Sequence, residues 1–371
     1  MTRRHSYQGQ WHSGYSKPPP YPQSDRYRKG LGVLETRDPQ HVESVMWAKL
    51  LAPYQVTNLW SASWQLLTSV ILYALLFGLM VYSLTYDYWV TLLLAIPTAG
   101  FFVRLFIIQH DCGHGAFFPS RAANNALGFL LGIVTLTPYA YWRKTHAIHH
   151  ATSGHLDRRG FGDIVTLTVQ EYRRLPKHKQ LAYRLYRHPC LMFGVGPAFQ
   201  FLIKHRFPWN CPSRWKREWR SIHLTNLLLL TIVSILGMTM GLQQFLLVQL
   251  PVILIATSIG GWLFYVQHQF EDTYWQHQNH WKFHAAGLQG SSYYDLPRLL
   301  QWLTANIGLH HIHHLNSKIP NYKLQQCFDE IPELQRITRV SLWQSLRCPS
   351  LKLWDEDQQR LVGFRHPESR F

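Results

Sequence analysis

Four stretches of this chain stay apolar for about the length a helix needs to cross a bilayer, roughly 20 residues. They are Trp64–Leu84, Tyr88–Ile108, Leu224–Leu242 and Phe245–Tyr265. Inside a bilayer every backbone N–H and C=O must be satisfied within the protein, so segments of this kind have to be helical. Short turns at Tyr86-Asp87 and Gln243-Gln244 separate the two members of each pair. The expected fold is an all-α membrane protein with four transmembrane helices in two hairpins.

The distribution of charge orients these spans. Neither turn holds Lys or Arg, whereas residues 143–220 are dense in both. A positive bias marks the cytoplasmic side, so residues 109–223 and 266–325 are expected to form a cytosolic helical cap. Two shorter apolar stretches, Ala126–Tyr141 and Leu191–Ile203, are expected to be interfacial, re-entrant or core. If the histidines on either side of the first share one site, that stretch must return to the side it left. The formal charge of +17 is read with the spans as affinity for an anionic membrane face, not for nucleic acid.

Residues 1–45 are polar, basic and Pro-rich, and are expected to be a disordered tail. They lack the apolar core of a secretory signal. The membrane domain is expected over 46–325 and a cytosolic C-terminal extension over 326–371. Cys112, Cys190, Cys211, Cys327 and Cys348 form no CxxC pair, which fits a reducing compartment without disulfides.

Three of the chain's histidine groups are not scattered. They are His110 and His114 in QHDCGHG, His146, His149 and His150 in THAIHHATSG, and His310, His313 and His314 in LHHIHHL. Helical residues at i, i+3 and i+4 share a face, so each group presents its rings to one side, while His311 is out of phase. Each group follows an apolar stretch. Buried together without metal, so many ring nitrogens would go unsatisfied, at roughly 1–3 kcal/mol each. A metal centre resolves this, since neutral imidazole suits Fe, Zn, Cu and Ni. The number of rings exceeds one ion's coordination, so two ions are implied. His268, directly after the fourth span, is a candidate ninth ligand. His155, His277, His280 and His284 are expected to be structural, and His178, His188 and His205 solvated or lipid-facing.

With these boxes in order, the chain resembles the integral-membrane fatty acid desaturases, most closely the bacterial acyl-lipid desaturases of the Δ12 (omega-6) type. The resemblance rests on HDCGH, HAIHH and HHIHH, on SGHLDRRGFGDI at 153–164, and on the run from FYVQHQFEDTYW through GSSYYDLPRLLQWLTANIGLHHIHHL to IPNY. It implies a diiron centre held by His110, His114, His146, His149, His150, His310, His313 and His314, with His268. It further implies insertion of a cis double bond into an acyl-lipid chain, using O2 and two electrons. No cytochrome b5 signature (HPGG) is present, so the resemblance points to a separate electron donor such as a ferredoxin. His155 departs from the Asn expected there. Asp111, Asp163, Glu271 and Asp272 are candidates to orient the imidazoles.

Related diiron hydroxylases, alkane monooxygenases and carotenoid ketolases would use similar boxes, but the run after the fourth span argues against them. A metal transporter or haem-binding membrane protein should hold polar ligands near the bilayer midplane, where these spans have almost none. A zinc hydrolase lacks its HExxH glutamate, because Asp111 follows His110.

Overall fold

The computed structural model describes residues 39–365. Most of the expected N-terminal tail lies outside them, but helix α1 (Pro39–Leu51) already begins at Pro39. The side chain of Asn58 accepts from Ser61 N at 2.8 Å and starts α2 (Leu59–Ser83). Asp87 does the same for α3 (Tyr88–His114), accepting from Trp89 N at 2.9 Å. Between these two helices a buried Ser83–Thr91 hydroxyl pair closes the first hairpin at 2.7 Å. Helix α3 continues past the expected end at Ile108 and carries the first histidine box on its last turn.

Helices α4 (Arg121–Val134) and α5 (Tyr139–Thr152) form a tight hairpin, so the chain comes back to the side it left, as the shared site required. A Cβ on Gly132 would stand 2.6 Å from the carbonyl oxygen of Thr137. Thr137 N also donates to Gly132 O at 2.6 Å. Short helices α6 (Val169–Arg174), α7 (Lys177–Tyr186) and α8 (Gly196–Leu202, after a π turn at Cys190–Val195) follow.

The second apolar pair forms one helical segment from Lys216 to His268. Its single backbone break is at Gly241, with φ 91° and ψ 132°, a conformation costly for residues with a Cβ. The break separates α9 (Lys216–Leu236) from α10 (Leu242–His268), so the turn expected at Gln243-Gln244 lies at Gly241 instead. Both outer ends return to the histidine side. Ser221 on α9 accepts from Ala140 N of α5 at 3.0 Å, and α10 ends on His268. Among the described residues, three helical segments are long and apolar enough to cross a membrane: Leu59–Ser83, Tyr88–His114 and Lys216–His268. The most apolar part of the first is only 17% buried, which leaves its surface for lipid.

The rest of the chain closes over the helix ends. Helices α11 (Phe283–Gln289), α12 (Arg298–Leu303), α13 (His310–Leu315), α14 (Asn321–Glu330) and α15 (Leu342–Ser345) are short. Arg104, buried in the middle of α3, donates to Ser69 Oγ at 3.0 Å and stacks 4.3 Å from the ring of Trp302 on α12. Two small sheets supplement the helices. In one, β1 (Leu167–Thr168) runs parallel to β4 (Leu353–Asp355), which pairs antiparallel with β5 (Arg360–Val362). In the other, β2 (Tyr293–Asp295) lies parallel to β3 (Arg339–Ser341). Residues 339–341 and 353–362 are therefore tied by backbone pairing to strands much earlier in the chain.

Candidate metal centre

The last turns of α3 and α10, the C-terminal half of α5 and the whole of α13 meet at one place. There the structure gathers all nine histidines expected as ligands. The i, i+3, i+4 spacing works as helical geometry requires: His146, His149 and His150 face inward from α5, and His310, His313 and His314 from α13. The rings fall into two groups. His110, His114, His146, His150 and His313 offer ligand atoms within 4.8 Å of one another, and so do His149, His268 and His314. His310 joins the smaller group, with its Nε2 3.0 Å from His268 Nε2. The groups abut where His150 and His314 stack at 4.1 Å.

Hydrogen bonding fixes several tautomers. His268 Nδ1 lies 3.1 Å from the carbonyl oxygen of Gly290, which only accepts, so Nδ1 carries the proton. His149 Nδ1 faces the Asp163 carboxylate. Each ring then turns its Nε2 inward, and the two meet at 3.3 Å. In the larger group His110 Nδ1 faces Asp111 Oδ1 at 3.3 Å, and its Nε2 lies 2.9 Å from His146 Nε2. His114 Nε2 and His314 Nε2, one in each group, are buried with no protein partner. Burial, then the neighbouring imidazoles, holds His146, His150, His310, His313 and His314 well below the ordinary histidine pKa, so these rings are neutral at physiological pH. Converging neutral nitrogens with orphaned lone pairs form a cluster capable of binding metal ions.

The acids divide. Asp163 and Asp111 serve the imidazoles as expected, and Asp111 Oδ2 also accepts from Asn321 N at 2.7 Å and Nδ2 at 2.9 Å. Glu271 instead pairs with Arg360 at 3.3 Å, and Asp272 is exposed, so neither orients a ring. His311 points away from the cluster and bonds the carbonyl of Leu334 at 3.1 Å; burial lowers its pKa to about 3. His155 is satisfied by Gln278 at 3.0 Å and the backbone of Asp157. His205, expected to be solvated or lipid-facing, is buried and bonded to Gln200 at 2.9 Å, because the turn after α8 folds it inward. Sequence reasoning missed the Gly290 carbonyl, which carries no side-chain signal. It also missed Trp142, which lies one turn before His146 and stacks on its ring at 4.7 Å.

A cavity of about 740 Å³ opens beside His114. Arg121, Arg143, Lys144, Arg217 and Lys318 line it against one carboxylate, Glu218.

The comparisons agree with this geometry. The model of the fatty acid desaturase family matches residues 87–345. A fatty acid desaturase of Bacillus subtilis (strain 168) is 47% identical over 301 residues, covering 81% of this chain and 85% of the relative. The sn-1 oleoyl-lipid 12-desaturase of Anabaena variabilis is 27% identical over 284 residues, covering 72% and 76%. The sn-1 acyl-lipid omega-3 desaturase (ferredoxin) of Synechocystis sp. is 26% identical over 261 residues, covering 66% and 69%. A single match spanning the boxes, the segments between them and the run after the last long helix is more than a shared metal site requires, and the chain belongs to the fatty acid desaturase family.

Proposed function

We propose that this protein is an O2-dependent acyl-lipid desaturase that introduces a cis double bond into a membrane acyl chain at a diiron centre. The observation that carries this is the facing of His149 and His268, whose Nε2 atoms meet at 3.3 Å while their Nδ1 atoms are engaged by Asp163 and by the carbonyl of Gly290. Two irons fit the donor set: all-imidazole, split into two adjoining groups, with an orphaned Nε2 in each. His110, His114, His146, His150 and His313 would hold one iron, and His149, His268, His310 and His314 the other. When bound, the irons supply the oxidising power that an unactivated methylene C–H demands, because no acid or base of the protein removes such a hydrogen.

The chain's own residues do the rest. Asp163, Asp111 and the Gly290 carbonyl hold the Nδ1 protons, so that the Nε2 atoms point inward as ligands. Trp142 and Phe264, the latter 5.2 Å from the His149 ring, wall the cluster with apolar surface and keep water from it. The basic cavity beside His114 suits an acidic electron carrier such as a ferredoxin. The three long segments would make a multi-pass protein of four crossings, with the histidines on the cytoplasmic side, where the basic residues lie. Residues 46–325 would be the catalytic membrane domain and 326–371 its extension.

The test is expression in a host that lacks polyunsaturated lipids, with a ferredoxin supplied, followed by location of new double bonds by mass spectrometry. New cis double bonds in lipid acyl chains are expected. Unchanged lipids beside a folded, iron-loaded protein would overturn the proposal, and oxygenated products would move it to a hydroxylase.

A further inference from the structure

Arg187, just after α7, has no exposed surface. Burying a guanidinium costs several kcal/mol unless its donors are met; here neutral oxygens meet both terminal nitrogens, Nη1 and Nη2, while Nε is buried without a partner. Nη1 donates to the carbonyl of Val165 at 3.0 Å and to Thr166 Oγ1 at 3.3 Å. Nη2 donates to Tyr265 OH at 3.0 Å, Gln269 Oε1 at 2.8 Å and the carbonyl of Leu351 at 3.0 Å. The planar fork joins three distant segments at fixed angles, which a lysine cannot do.

The identity of those segments gives the contact its meaning. Val165 and Thr166 follow Asp163, the partner of His149. Gln269 follows His268, and Tyr265 lies about one turn before it. Arg187 therefore grips the segments that support two of the four rings of the smaller group, His149 and His268, whereas its five side-chain hydrogen bonds reach no segment carrying His110, His114 or His313. Leu351, the third anchor, lies beyond residue 345, where the family match ends. It is held there twice more: its carbonyl accepts from Tyr265 OH at 2.9 Å, and Tyr183 OH donates to the next carbonyl, that of Lys352, at 2.7 Å.

We propose that Arg187 is a positioning residue for one metal of the pair: together with the C-terminal strand segment it sets His268 and, through Asp163, His149. This rests on the diiron reading above. It assigns the C-terminal extension a task, as the third anchor of a clamp on the smaller site. Loss of the clamp should loosen one metal and spare the other, an outcome that a general loss of packing does not produce.

The experiment uses the full chain in detergent, loaded anaerobically with ferrous iron and titrated with a chelator. Wild type should hold two irons per chain. Arg187→Lys keeps the charge but loses the fork. It should release one iron at roughly 10–100-fold lower chelator than wild type and retain the other. Thr166→Val removes one of the five Arg187 contacts, along with the hydroxyl's bonds to Ile164 O and Gln269 Oε1, and should shift the same iron in the same direction by less. Thermal unfolding of each apo variant separates metal loss from unfolding. If Arg187→Lys keeps both irons, or if both leave together in each variant, the clamp is overturned. If wild type itself binds no iron, the diiron reading falls and the clamp with it.

Discussion

His149 and His268, 119 positions apart, bring their Nε2 atoms to 3.3 Å while their Nδ1 atoms are engaged by Asp163 and by the carbonyl of Gly290. A cation between the two Nε2 atoms would take both as ligands, with each Nδ1 left to its outer partner. The arrangement is stable as a coordination site, and its outer hydrogen bonds decide which nitrogen binds.

Asp163→Asn should weaken metal binding at the smaller group. An amide can offer its NH2 to His149 Nδ1, which favours the tautomer with Nε2 protonated and removes a ligand. Loss of an outer hydrogen-bond partner typically costs 10–100-fold in metal affinity. Iron content after dialysis against a weak chelator should fall towards half, and an unchanged content would contradict the assignment.

His311 and His314 make a matched pair. Replacing His311 with Ala leaves the Leu334 carbonyl without its partner and should cost about 2 kcal/mol of stability while metal content is kept. Replacing His314 with Ala should instead lower metal content. Thermal melts and iron assays on both proteins give the comparison, and metal loss in His311→Ala would return that ring to the ligand set.

Gly132→Ala places a methyl 2.6 Å from a backbone oxygen in the turn that aims α5. Backbone cannot step aside as a side chain can, so about 1–3 kcal/mol of destabilisation is expected. Because α5 carries His146, His149 and His150, iron content should fall as well. A melting temperature equal to wild type would show that the α4–α5 turn has more room than the structure gives it.

His277 lies between Asp157, at 2.6 Å, and Glu356, at 3.1 Å. Its hydrogen bonds to Asp157, then to Glu356, raise its pKa above the ordinary value of 6.5. The pair therefore holds the β4–β5 turn most firmly below pH 6.5 and lets go as pH rises through the raised value. Hydrogen exchange around residues 355–360 should quicken as pH rises through that window, beyond the intrinsic pH dependence of exchange. In His277→Gln that extra increase should vanish.

Much of this molecule was legible in the order of its residues. The lengths of the apolar runs dictated helices of spanning size, because a bilayer allows little else. The i, i+3, i+4 spacing put three histidines on one face of α5 and of α13, since a helix repeats every 3.6 residues wherever it occurs. The out-of-phase position of His311 turned it away for the same reason. These are local consequences of backbone geometry, and they need no knowledge of neighbours.

What the tertiary structure alone decided is everything that depends on residues meeting across the chain. Nothing in the spacing divides the rings into groups of five and four, chooses Asp163 over Glu271, or moves a turn from Gln243-Gln244 to Gly241. Nor does it mark Arg187 among the many basic residues of its region as the one without exposed surface. Each outcome depends on packing between segments up to about 200 residues apart. Side-chain volume, burial and hydrogen-bond reach act there through space, and no sequence period carries that information.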